Sequence, residues 1–250
     1  MLSLSKHGAG SFSNLVQGVS PVQALIAFDL DGVLYSSEPF LGEAYREAIA
    51  NVNARRPHSF PRVPGTREIL DHVGWPVTVI LARLFPDIDA TAVDLLYAET
   101  LEVICARVAR GEGILFPGVA ETLADLRRSG LLLAVASNGR QRYIATVLST
   151  YGIGPHFLEL ITVENGPIEN KAGVLRSYLQ QHRLGPERVV MVGDRSSDVE
   201  AAATVGCHFI GCDYGHGYRT EIEHAGPIVS AFDQLPAAIA TVFPPSAVPT

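Results

Sequence analysis

Short apolar runs recur along the chain, and each one ends close to a glycine or a polar residue. They occupy residues 24–28, 131–136, 157–161, 189–192 and 208–210. Short runs that are apolar throughout are typical of parallel strands that are buried on both faces. The pattern therefore predicts five strands, of which 157–161 has the weakest signal.

Segments with helical spacing of their apolar residues separate these runs. In the first of them Val119, Leu123 and Leu126 fall on one helix face, and comparable stretches cover residues 141–148, 172–181 and 198–204. Strand, loop and helix in repeated alternation are the signature of a parallel sheet that is covered by helices on both faces. The predicted fold class is α/β, with a Rossmann-like core.

Residues 37–115 interrupt this alternation. Four helical stretches follow one another without an intervening strand, at 41–52, 66–73, 77–85 and 90–110, and prolines separate several of them. We expect an inserted all-helical cap domain over residues 37–115 and a catalytic core over 23–36 and 116–243. Residues 1–22 and 244–250 are predicted to be a flexible extension and a flexible tail.

Composition narrows the class of protein. The 250 residues carry 19 basic and 26 acidic side chains, a formal net charge of −7, and 47% of them are hydrophobic. This balance favours a globular protein and disfavours a nucleic-acid binder, but a small phosphorylated substrate needs only a local positive site. The three cysteines are too scattered for a disulfide framework, and no secretory signal or membrane span is evident. We expect a cytoplasmic protein without a membrane partner, and the oligomeric state is undetermined.

Polar side chains with chemical potential cluster after the predicted strands. They are Asp29, Asp31, Ser137, Asn138, Lys171, Asp194 and Asp198. The carboxyl ends of adjacent parallel strands border one crevice, so these side chains converge if the strands are neighbours. Each aspartate by itself would be an ordinary turn or helix-capping residue, and it is the set that indicates a site.

Four carboxylates in one crevice require a counter-charge, because like charges raise each other's pKa. Oxygen ligands suit Mg²⁺, which is often shared with a substrate phosphate, and Lys171 would add positive potential. Asp29 could then attack phosphorus and form an aspartyl-phosphate. Asp31, two residues on, could protonate the leaving oxygen and later accept a proton from the hydrolytic water.

Four sequence motifs together resemble those of the haloacid dehalogenase superfamily. They are the stretch 29–33 (Asp-Leu-Asp-Gly-Val), the pair Ser137-Asn138, Lys171, and the stretch 193–198 (Gly-Asp-Arg-Ser-Ser-Asp). The resemblance spans about residues 24–235. It is greatest to the branch with a helical cap after the first motif, which includes phosphoglycolate phosphatase-like and β-phosphoglucomutase-like enzymes. The segment 116–119 (Phe-Pro-Gly-Val) is similar to one that those enzymes carry.

The resemblance implies a role for each matched position. Asp29 would be the nucleophile and a Mg²⁺ ligand, and Asp31 the general acid/base and a ligand through its backbone carbonyl. Phosphate binding would fall to the positions Gly32, Ser137, Asn138 and Lys171, the last of which also orients Asp29. Asp194 would bind the metal, and Asp198 would bind it or orient a neighbouring group.

The presence of Asp31 argues against a dehalogenase or a phosphonate hydrolase, since these lack the second aspartate. Val33 and Ala172 depart from residues common in phosphatases of the superfamily, which leaves the subfamily open. The expected activity is Mg²⁺-dependent hydrolysis of a small phosphomonoester. A phosphosugar mutase and a non-catalytic phospho-ligand-binding protein remain alternatives. The glycine-rich stretch 211–217 is expected beside the site, and Trp75 in the core of the cap.

Overall fold

The computed structural model describes residues 24–243, so the terminal segments predicted at 1–22 and 244–250 lie outside the described residues. The strands are β1 Leu25–Phe28, β2 Tyr35–Ser36, β3 Ile114–Leu115, β4 Leu132–Val135, β5 Val189–Gly193, β6 His208–Cys212 and β7 Ile228–Val229. The α-helices are α1 Glu38–Arg55, α2 Thr66–Leu70, α3 Val77–Leu84, α4 Ala90–Ala109, α5 Val119–Arg128, α6 Gln141–Thr150, α7 Lys171–His182, α8 Ser196–Val205, α9 Arg219–Ile222 and α10 Leu235–Val242.

The central sheet has the strand order β4-β1-β5-β6-β7, and all its strands are parallel. Alternate residues of β1 point to opposite faces. Ile26 shares a buried cluster with Leu123 of α5, whereas Ala27 shares another with Leu175 of α7. Helices therefore cover both faces, and the α/β fold predicted from the sequence is confirmed.

The prediction of a strand at 157–161 is wrong. This segment follows a 3₁₀ turn at Gly154–His156 and makes one ladder-like hydrogen bond, from the N–H of Leu158 to the carbonyl of Leu133. The hydroxyl of Tyr178 donates to the carbonyl of Glu159 and accepts from the N–H of Ile161. Because one buried side chain satisfies these backbone groups, the segment 157–161 does not form a strand beside β4.

The helical insertion leaves and re-enters the core through two chain segments that pair with each other. Tyr35 and Ser36 of β2 form an antiparallel ladder with β3, which the hydrophobic pattern did not predict. The hydroxyl of Tyr35 also donates to the carbonyl of Glu112 at 2.7 Å. We propose this ladder as the boundary between the cap, α1 to α4, and the core.

Among residues 24–243, the helices are either too short or too polar to cross a bilayer.

Candidate active site

The site lies where three neighbouring strands end. β1 lies between β4 and β5 in the sheet, so the chain leaves these strands at adjacent points. Asp29 follows β1, Ser137 and Asn138 lie just beyond β4, and Asp194 follows β5. Strand connections diverge to the two sides of β1, which opens a crevice for a ligand. The structure thus brings together polar residues that are more than 160 positions apart in the sequence.

Lys171 is a fully buried cation held between two carboxylates. Its Nζ lies 2.9 Å from Oδ2 of Asp29 and forms an ion pair with Oδ1 of Asp198. Burial opposes the charge, yet the attraction of Asp198 and Asp29 raises the pKa of Lys171 above its ordinary value. Lys171 therefore stays charged and fixes the orientation of the Asp29 carboxylate.

The chain places this lysine at the first residue of α7. The side chain of Asn170 caps the helix by accepting from the N–H of Gly173 at 3.1 Å. A cation at a helix N-terminus is unfavourable toward the helix dipole, and here the two aspartates offset that cost.

The buried carboxylate of Asp198 links Lys171 to the backbone after β5. Its Oδ2 accepts hydrogen bonds from the backbone N–H groups of Asp194 and Arg195, at 3.1 and 3.0 Å, while Oδ1 contacts Lys171. Both carboxylate oxygens are thus engaged by the protein. This arrangement supports the orienting role for Asp198 more than direct metal ligation.

Asp194 has one oxygen engaged and one without a partner. Its Oδ2 accepts from the N–H groups of His216 and Gly217, at 2.7 and 3.0 Å. Its Oδ1 is buried without a hydrogen-bond donor. Burial, together with the nearby charges of Asp198 and Asp29, raises the pKa of Asp194 well above its ordinary value. A buried, ionised carboxylate is costly without a partner, so a cation bound at Oδ1 would stabilise it.

A divalent metal ion fits this donor set. One carboxylate oxygen from each of Asp29, Asp194 and Asp198 lies within 4.8 Å of the others. Oδ2 of Asp29 is also buried without a hydrogen-bond donor, although the Lys171 ammonium is close to it. Hard oxygen donors with excess negative charge match Mg²⁺, which takes carboxylates, waters and substrate oxygens.

Asp31 lies on the cap side of Asp29 and is bound by two hydroxyl groups. Its Oδ1 accepts from Tyr143 at 2.7 Å and from Ser37 at 2.9 Å. These hydrogen bonds lower the pKa of Asp31, but burial has the larger effect and, with the charge of Asp29, raises it to about 6. A carboxyl group with this pKa can both release and accept a proton near neutral pH.

Tyr143 and Ser37 were not found from the sequence. Tyr143 is on the first turn of α6, six positions after Ser137, and this short distance from the second motif is the one signal that points to it. Ser37 precedes α1, where a serine is an ordinary helix-capping residue.

Ser137 and Asn138 occupy the far side of the crevice from Asp194. The hydroxyl of Ser137 accepts from the N–H of Gly139 at 3.1 Å, which leaves its own proton to donate. The amide of Asn138 donates to the carbonyl of Gly74 in the cap at 2.9 Å, and its Oδ1 is buried without a partner. Asn138 thus joins the crevice to the cap.

Gly32 lets Asp194 approach the backbone closely, but its own N–H is not free to bind a phosphate. Its N–H donates to the carbonyl of Tyr35 at 2.9 Å, and its φ is +85°. A Cβ at this position would lie 2.3 Å from Oδ2 of Asp194. A side chain is therefore excluded here, and the phosphate-binding role of Gly32 stays a prediction.

The glycine-rich stretch 211–217 lies beside the site, as the sequence analysis expected. Its backbone supplies the two N–H groups that hold Asp194. A Cβ on Gly215 would lie 2.4 Å from Oδ2 of the same aspartate, so the loop needs a glycine in order to reach it.

Arg195 fastens the cap to the core. Its guanidinium donates to the carbonyls of Asp71 at 2.5 Å and Leu70 at 3.4 Å, at the end of α2, and lies 3.4 Å from the carboxylate of Glu221. The side chain is only 5% exposed. Arg195 directly follows Asp194, so the same loop carries this buried carboxylate and a cap contact.

A cavity of about 90 Å³ lies between the two halves and opens to the solvent on one side. Its core side includes Asp29, Asp31, Ser137 and Asn138, which we name the floor. Gly139, Arg140 and Tyr143 also line the cavity from the core, and the opposite side consists mainly of cap side chains. Trp75, expected in the core of the cap, lines this cavity while it packs on the apolar cluster. At roughly 10–15 Å³ for each water-sized atom, the volume suits a small molecule.

The sequence matches a family model described as haloacid dehalogenase-like hydrolase over residues 24–206. It is 31% identical to the phosphoglycolate phosphatase of Vibrio cholerae over 215 residues, which is 81% of this chain and 90% of that protein. It is also 31% identical to the phosphoglycolate phosphatase of Pasteurella multocida, with 81% and 91% of the two chains covered.

Solved structures share the fold. A crystal structure described as a predicted phosphoglycolate phosphatase from Haemophilus somnus superposes with a TM-score of 0.74 at 24% identity, covering 85% of this chain and 96% of that one. A predicted phosphatase from Clostridium acetobutylicum superposes with a TM-score of 0.73 at 22% identity, covering 88% and 99%.

Proposed function

The chain belongs to the haloacid dehalogenase-like hydrolase family and is a phosphatase, and we propose that it hydrolyses a small phosphomonoester through a covalent phosphate on Asp29. The observation that carries this proposal is the pairing of two aspartates with different surroundings. Asp29 is buried against the Lys171 ammonium, whereas Asp31 has a pKa of about 6 and faces the cavity. One carboxylate is suited to attack and the other to transfer a proton.

In the first step, an oxygen of Asp29 attacks phosphorus and the bond to the leaving oxygen breaks. The protonated carboxyl of Asp31 gives its proton to that oxygen, so the product leaves as a neutral alcohol. In the second step, the Asp31 carboxylate takes a proton from a water that attacks the aspartyl-phosphate. Inorganic phosphate leaves, and both aspartates return to their starting states.

The remaining groups of the site hold the phosphoryl group. The Ser137 hydroxyl and the Asn138 amide lie on the floor, and the Lys171 ammonium lies beside Asp29, where negative charge accumulates. Asp29 and Asp194 would hold Mg²⁺, with Asp198 and the backbone carbonyl of Asp31 as further candidates. When bound, the metal would neutralise the carboxylates and the phosphate and so permit two anions to meet.

The cap encloses the reaction. Contacts from Asn138 and Arg195 to the segment 70–74 hold the cap over the floor. With substrate in the cavity, the cap would keep bulk water away until the covalent intermediate has formed, and the cap side chains would select the alcohol.

The test is phosphate release from a panel of small phosphomonoesters that includes 2-phosphoglycolate, with and without Mg²⁺. We expect release that requires the metal and that falls by about 10⁴-fold or more in Asp29→Asn, which keeps the shape of the side chain but not its nucleophilicity. Circular dichroism of the variant checks that the fold is retained. Equal activity in wild type and Asp29→Asn would refute the proposal, and phosphate transfer to a sugar without release would identify a mutase.

A further inference from the structure

The cavity wall opposite the floor is strongly apolar. Beyond the floor, the lining side chains from the cap include Leu41, Trp75, Val77, Ile80, Leu101 and Ile104. They come from α1, from the segment before α3, from α3 itself and from α4, so several elements contribute to one continuous surface. A wall of this kind favours hydrocarbon and offers a charged group nothing in exchange for water.

Within residues 24–243, Arg140 is the one basic side chain that lines the cavity, and it is already engaged. The guanidinium of Arg140 donates to the carbonyl of Tyr97 at 2.9 Å, stacks on the ring of Tyr97 with 4.0 Å to its centroid, and lies 3.4 Å from Glu164. Arg140 thus has a carboxylate, a carbonyl and an aromatic face as partners. It is not a vacant receptor for an additional anionic group on the substrate.

The polar groups on the cap side are few and uncharged. The hydroxyl of Thr100 donates to the carbonyl of Tyr97 at 3.1 Å. The hydroxyl of Tyr45, on α1, has no hydrogen-bond partner among the described residues and belongs to a side chain that lines the cavity. One hydroxyl can bind an ether, hydroxyl or carbonyl oxygen, but it cannot neutralise a carboxylate.

We propose that the alcohol portion of the preferred substrate is uncharged and mainly apolar, with the phosphate as its one anionic group. This inference rests on the proposed function, since it concerns the part of the substrate that departs as the alcohol. A substrate with a carboxylate next to the phosphate would place that charge against hydrocarbon and close to Asp31. The relatives named above act on phosphoglycolate by name, so the proposal marks a difference in specificity within a shared chemistry.

A series of primary alkyl phosphates tests the preference of the wall for apolar groups separately from the reactivity of the ester. Methyl, ethyl, propyl and butyl phosphate have leaving groups of similar acidity, and butyl phosphate has as many non-hydrogen atoms as 2-phosphoglycolate. With Mg²⁺ present, we expect kcat/KM to rise about fourfold per methylene, which corresponds to about 0.8 kcal/mol of buried CH₂. We expect butyl phosphate to exceed 2-phosphoglycolate by about tenfold or more, the cost of one poorly compensated charge.

Leaving-group chemistry alone would give the opposite order. The hydroxyl of glycolate is more acidic than that of butanol, so phosphoglycolate is the more reactive ester in the absence of a binding preference. A preference for butyl phosphate therefore reports on the wall.

Two variants of one wall residue complete the test. Leu101→Lys introduces a cation and is expected to raise the ratio of phosphoglycolate to butyl phosphate activity by about tenfold or more. Leu101→Met keeps the volume and the apolar character, so its ratio should equal that of wild type. Inhibition by inorganic phosphate, which occupies only the floor, should be the same in Leu101→Met and wild type.

The outcomes separate the two proposals. A flat alkyl series, or a wild-type preference for phosphoglycolate over butyl phosphate, overturns the inference and leaves the phosphatase mechanism standing. Failure to release phosphate from any member of the series or from the panel above refutes the proposed function, and the inference with it.

Discussion

The floor and the wall of the cavity differ in chemistry, since the floor is polar and charged and the wall is apolar. Behind the floor, Lys171, Asp194 and Asp198 lie close to Asp29, and all four side chains are buried and linked to one another or to backbone N–H groups. On the wall, side chains such as Leu101 and Ile104 contribute only shape and hydrocarbon. The floor is rigid because every buried charge needs its partners, whereas the wall can change residue by residue at small cost. This difference allows one chemistry to serve many substrates.

After Asp29→Asn, Asp31→Asn gives the largest expected effect among variants that preserve the wall. The variant loses the proton donor of the first step and the base of the second, so we expect kcat to fall by about 10²–10⁴-fold. Relative rates along the alkyl phosphate series should remain those of wild type, because Asp31 does not contact the distal methylenes. Steady-state kinetics with each ester measures both quantities.

If Asp31→Asn changed the relative rates along the alkyl phosphate series, the floor and the wall would not act independently. If kcat stayed at the wild-type value, Asp31 would not be the residue that transfers the protons.

Asp194→Asn separates metal binding from folding. Asn can still accept from the N–H groups of His216 and Gly217, but it removes a buried negative charge near Asp29 and Asp198. Since burial raises the pKa of Asp194, its ionised form is unfavourable in the folded metal-free protein at neutral pH. We expect the metal-free variant to melt a few degrees higher than wild type, at roughly 2–4 °C per kcal/mol.

The same variant should lose the stabilisation that Mg²⁺ gives to wild type. Thermal melts with Mg²⁺ and with a chelator measure both effects. An undiminished rise with Mg²⁺ would show that Asp194 does not hold the metal.

The sequence predicted most of the charged site and little of the wall. Asp29, Asp194 and Lys171 lie at ends of regular elements, where the α/β alternation already fixes the location. Trp75 takes its place from how the cap helices and loops pack, which no local pattern encodes, and only its short distance from Ser137 points to Tyr143. The hydrophobic pattern did not predict the β2–β3 ladder, because strands of two residues are too short to show a periodic signal.

Arg195→Met tests how the two regions are held together. Methionine preserves much of the buried length but removes the hydrogen bonds to the carbonyls of Asp71 and Leu70. We expect KM to rise about three- to tenfold and stability to fall by about 1–2 kcal/mol, as for lost buried hydrogen bonds. Kinetics and urea unfolding measure the two changes. If KM stays at the wild-type value, this contact does not hold the cap closed.

Tyr143→Phe gives the smallest expected effect and concerns the pH profile. The hydroxyl of Tyr143 stabilises the ionised form of Asp31, so its removal should raise the pKa of that carboxyl. The first step needs protonated Asp31, and activity therefore declines as the pH rises through this pKa. We expect the descending limb of kcat/KM to move to higher pH by about half a unit to one unit.

A descending limb that stays in place, or moves to lower pH, would show that the Tyr143 hydroxyl does not set the ionisation of Asp31.

The most direct test of the account is to locate the phosphoryl group during turnover. A single turnover with Mg²⁺ and a reactive phosphomonoester is stopped in acid, and peptides are then mapped by mass spectrometry after borohydride reduction. We predict a phosphoryl group on the acid-quenched protein and reduction of residue 29 alone, with neither the phosphoryl group nor the reduction in Asp29→Asn. Modification at Asp31, or full turnover without any covalent phosphate, would contradict the assignment of Asp29 as the nucleophile.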